Sequence, residues 1–108
     1  MNEDLRNFQT VGLNTLKYVT KRLRRTDNTL AYAEAFLGIL EMSDAEFDLA
    51  GLYSRLLAER IYWKDLAKVK ETVFSENRKY TLLAYAHALD IVDSIRARFH
   101  GTEVRCDF

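Results

Sequence analysis

No proline interrupts the 108 residues of this chain, and glycine occurs only 4 times. Proline removes a backbone donor and clashes with the preceding turn, and glycine is the next-poorest helix former. Nothing in the chain therefore limits helix length, and the apolar residues recur mostly at helical spacing. The expectation is an all-α fold: a four-helix bundle or a close relative, with helices near residues 3–25, 29–41, 44–74 and 76–99. Short connections favour antiparallel neighbours. With 48% hydrophobic residues the chain can build a core at this length. One helical domain over residues 1–101 is expected, with 102–108 as a short tail.

The first helix is the cleanest. Leu5, Phe8, Gly12, Leu16, Val19 and Leu23 fall in one arc of the helical wheel, and Lys17, Lys21, Arg24 and Arg25 fall opposite. The cluster Thr26-Asp27-Asn28-Thr29 reads as a break. The segment from Leu30 to Leu40 carries a single charge, Glu34, so it reads as the central buried helix. Ser43 and Glu46 match a capping box, with Met42 and Phe47 as its apolar staple, which starts the third helix at Asp44. Along that helix the apolar stripe drifts, from Leu49, Leu52 and Leu56 to Tyr62, Leu66 and Val69. A bend or short break over 59–64 accounts for the drift. The last helix carries two apolar bands, one through Tyr80, Ala84, Ala88 and Ile91, the other through Leu82, Tyr85, Leu89 and Val92. Gly101 follows as its C-cap.

The formal net charge is +0, yet the signs are segregated. Arg6, Lys17, Lys21, Arg22, Arg24 and Arg25 crowd the first 25 residues, against Glu3 and Asp4. Residues 26–54 hold Asp27, Glu34, Glu41, Asp44, Glu46 and Asp48 with no Lys or Arg. A neutral but dipolar chain does not coat nucleic acid indiscriminately. Its basic end either complements the helix dipole, lies against the acidic segment, or meets a phosphate backbone or an acidic protein.

Motifs for chemistry are missing. Neither histidine has the Glu-x-x-His spacing of a di-metal bundle, because Ala84 stands before His87 and Ala97 before His100. Cys106 has no Cys-x-x-Cys partner and reads as an inert thiol. No glycine-rich loop offers a phosphate cradle. His87, on an apolar stripe one heptad after Tyr80, reads as an imidazole hydrogen-bonded to a tyrosine or a backbone carbonyl. No catalytic residue, metal ligand or cofactor is assigned. A helix–turn–helix through Glu41–Ser43 would push Asp44, Glu46 and Asp48 toward phosphates, which repel them.

Two apolar bands on the last helix exceed what a peripheral helix of a lone bundle needs. The chain therefore reads as a non-enzymatic interaction module of the small inhibitor, immunity, antitoxin or assembly-subunit kind. Its docking surface is expected around Tyr53, Tyr62, Trp63, Leu82, Tyr85 and Leu89. The partner is another protein, or a second copy in a homodimer. The alternative is a nucleoprotein subunit touching backbone phosphates through Lys17, Lys21, Arg24 and Arg25. An acidic start and no apolar run of ~18 residues point away from secretion and the membrane, toward the cytoplasm.

Overall fold

Helix-favouring composition becomes structure as four helices among residues 3–23, 27–69 and 75–99, which the computed structural model describes. They are α1 (Glu3–Arg22), α2 (Asp27–Asp44), α3 (Leu49–Val69) and α4 (Ser75–Phe99). The fold is an all-α four-helix bundle. Arg24, Arg25, His100, Gly101 and the expected tail with Cys106 lie outside the described residues.

Helix α1 packs as its wheel requires. Leu5, Phe8, Gly12 and Leu16 are buried, and Glu3 and Asp4 open the helix where its dipole favours anions. A Cβ on Gly12 would sit 3.0 Å from Leu40 Cδ2 and 3.2 Å from Phe36 Cε1. The bare α-carbon lets α1 close on α2. Gln9 Nε2 donates to Ser43 Oγ at 2.9 Å and to Asp44 Oδ1 at 2.6 Å. Position falls along α2 as it rises along α1, so the two helices are antiparallel.

The boundary between α2 and α3 corrects the capping-box expectation. Ser43 is fully buried inside α2, and its hydroxyl donates to the Leu40 carbonyl at 2.6 Å. Helix α2 therefore continues to Asp44 and closes with tight bonds from the amides of Ala45 and Glu46 to the carbonyls of Met42 and Ser43. The N-cap of α3 is Asp48. Its Oδ1 accepts from the Gly51 amide at 2.8 Å, and its carbonyl takes the Leu52 amide at 3.2 Å. Glu46 instead reaches Arg55 at 3.2 Å, and Phe47 stands 94% exposed in place of stapling Met42. A buried hydroxyl with two partners outweighs a cap whose helix would begin before its apolar face does, at Leu49.

Helix α3 runs through 59–64 without a break, so of the expected bend or short break the break is absent. Leu49, Leu52 and Leu56 are buried, whereas Ile61 and Tyr62 are exposed.

Helix α4 is the axis of the molecule. It packs against α1, α2 and α3, and most extensively against α2. Ala84, Tyr85, Ala88, Leu89, Val92 and Ile95 are all buried, so most of both apolar bands lies inside the bundle, with Tyr80 and Leu82 half-buried. The surplus read from the sequence is the signature of a central helix covered on several sides. Helix α2 shares that role with one face only. Tyr32, Phe36 and Ile39 are buried, whereas Leu30 and Leu37 are exposed.

Candidate interaction surface

A polar clasp joins α2 to α4 in the interior. Tyr32 Oη on α2 lies 2.7 Å from His87 Nδ1 on α4, a hydrogen bond that either imidazole tautomer can make. Their rings meet edge to face with centroids 5.6 Å apart, and the Phe36 ring packs against Tyr32 with centroids 5.7 Å apart. Sequence spacing names a tyrosine as one kind of partner for His87 but not which one, and Tyr32 is 55 positions away. Burial pushes the Tyr32 hydroxyl up to about 12. A phenol so reluctant to ionise is a poor acid or base near neutrality, and the pair works as a joint between helices.

The six residues expected to form a docking face are divided between core and surface. Tyr85 and Leu89 are 8% and 6% exposed and belong to the core, because α4 is central. Leu82, Tyr53 and Trp63 are half-buried. Tyr53 carries the Arg96 guanidinium 5.9 Å above its ring. Burial and the nearby Glu59 carboxylate raise the Tyr85 hydroxyl, while a hydrogen bond with the Trp63 side chain works the other way. Trp63 thus ties α3 to α4. Only Tyr62 stands well out, edge-on to Trp63 with centroids 5.7 Å apart.

The apolar surface lies one face further round α3. Leu57, Ile61 and Tyr62 are 37%, 53% and 58% exposed, and Leu57 and Ile61 are neighbours at i, i+4. The signal for them was present: α3 is apolar on more sides than one bundle interface covers. The sequence alone does not say which side faces inward.

Of the basic residues, Lys17 and Lys21 are exposed on α1. The Arg22 guanidinium sits 5.3 Å above the Tyr18 ring. Helix α1 does pack against the acidic α2, but among the described residues no ion pair joins Lys17 or Lys21 to Glu34 or Glu41. Between these helices an open cleft of about 370 Å³ is lined by Gln9, Leu13, Leu37, Leu40, Glu41 and Asp44. Among the described residues no three metal-ligating side chains cluster, and no helix is long and apolar enough to cross a membrane. No protein-family model, curated protein or solved structure matches this chain.

Proposed function

We propose that this chain is a non-enzymatic interaction module that docks another protein on the outer face of α3. The observation that carries the reading is the exposed trio Leu57, Ile61 and Tyr62 on a helix whose inner face is already buried through Leu49, Leu52 and Leu56. Apolar side chains removed from water gain roughly 25 cal/mol per Å², and an aromatic beside aliphatic residues is the usual make-up of an interface anchor. Arg55, Lys64 and Asp65 are exposed on the same helix and add charge to this surface. Inhibitors, immunity or antitoxin-type proteins and assembly subunits work through such a face. A single cysteine suits a reducing, cytoplasmic setting.

Affinity capture from the native cell with wild-type chain and with Ile61→Asp tests this. A protein held by the first and lost by the second, tolerant of salt, supports it. Recovery of the same set with both variants overturns it. The exposed Lys17 and Lys21 favour a second reading, contact with a nucleic-acid backbone. Binding of that kind would fall steeply with salt and vanish when Lys17, Lys21, Arg24 and Arg25 are all replaced by Ala.

A further inference from the structure

Helices α1 and α2 present a second face, independent of the one on α3. On α2 the positions Leu30, Glu34, Leu37 and Glu41 fall within roughly 60° of the helical wheel, and all four are exposed. On α1 the matching positions are Leu13, also exposed, followed one turn on by Lys17 and then Lys21. Leu13, Leu37 and Glu41 line one cleft, which joins the two rows into a single surface.

The register between the rows follows from the contacts. Gln9 bonds Ser43 and Asp44, and Gly12 lies against Leu40 and Phe36. Continued along the antiparallel pair, this brings Lys17 about level with Glu34 and Lys21 about level with Leu30. Within one molecule the two rows lie side by side without ion pairing. The face is thus basic along one edge, acidic along the other, and apolar between.

We propose that this face pairs with the same face of a second copy of the chain. A two-fold axis lying in the face, parallel to the helices and between them, puts α1 of one copy over α2 of the other at unchanged height. Lys17 of each copy then meets Glu34 of the other, and Leu13 of each meets Leu37 of the other. A foreign partner would need both signs in mirrored rows, whereas a copy supplies them by symmetry. Helix α2 has 18 residues, so two helices side by side cover on the order of 500 Å² per copy. That is the low end of specific interfaces, and the dimer is therefore a weak one that forms in the micromolar range and loosens with salt.

Sedimentation over a micromolar concentration series reads this directly. Wild type passes from monomer to dimer, and Leu37→Asp stays monomeric with unchanged helical circular dichroism. Lys17→Glu alone and Glu34→Lys alone each lose about tenfold or more in self-affinity, since each homodimer sets like charges opposite one another. Mixed together, those two variants form a heterodimer, because every contact then joins opposite signs. A wild-type chain that stays monomeric, a dimer indifferent to Leu37→Asp, or charge variants that fail to associate on mixing overturns the proposal. Partner capture through α3 is unaffected by Leu37→Asp, so the two readings fail separately.

Discussion

At the scale of single residues, the Tyr32–His87 bond is the most consequential polar contact. It joins α2 to α4, the most extensive helix pair, from a fully buried tyrosine. Removing the hydroxyl with Tyr32→Phe leaves a polar imidazole atom without its partner, and chemical denaturation is expected to show a loss of about 1–3 kcal/mol. The same hydroxyl sets an alkaline limit. Its folded value of about 12 lies above the ordinary 10.0, so its contribution is fully present below pH 10 and is lost as pH rises toward 12. Roughly 2–3 kcal/mol is at stake across that window, at about 1.4 kcal/mol per pH unit. Stability measured against pH is expected to fall less steeply above pH 10 in Tyr32→Phe than in wild type.

At the scale of the helix, the glycines divide by what surrounds them. Gly12 sits under Leu40 and Phe36, and branched side chains do not fit there. Gly12→Val is expected to destabilise by about 1–3 kcal/mol by forcing α1 away from α2. A Cβ on Gly38 would meet nothing within 4 Å, and the position is exposed in α2. Gly38→Ala is expected to raise stability by about 0.5–1 kcal/mol, read as a higher denaturation midpoint. Helix starts separate in the same manner. Asp48→Ala removes the true N-cap of α3 and is expected to cost about 0.5–2 kcal/mol. The cap was legible in principle, because Asp48 directly precedes the apolar period Leu49, Leu52 and Leu56. Ser43 and Glu46 offered the same chemistry a few residues earlier. Only the burial of Ser43 against Gln9 and Leu40 decides between them.

At the scale of the molecule, the topology reassigns what is inside. Leu89→Asp places a carboxylate in a buried site between packed helices and is expected to abolish cooperative unfolding or prevent folding. Ile61→Asp, at an exposed site, is expected to leave the denaturation midpoint nearly unchanged while removing any partner held on α3. Measuring both variants by circular dichroism and by capture separates the core from the docking face. Exposed apolar side chains do occur, but on α4 Leu83 is the one large example among the described residues. The bands on α4 are largely spent on three neighbours, and among the described residues most of the exposed large apolar side chains lie on α1, α2 and α3.

What the order of amino acids determined is local: helix-forming composition without proline, the inward arc of α1, the existence of four helices, the segregation of charge and the tyrosine-type partner of His87. Each depends on neighbours within a few turns, where spacing alone dictates geometry. The tertiary structure decided the rest: α4 as the central helix, Tyr32 as the residue that reaches His87, Ser43 as an interior position, and α3 as the helix with a bare outer side. A helix apolar on several sides can be covered by several neighbours or left partly open, and its own periodicity is the same in either case. Only the placement of the other helices removes that degeneracy.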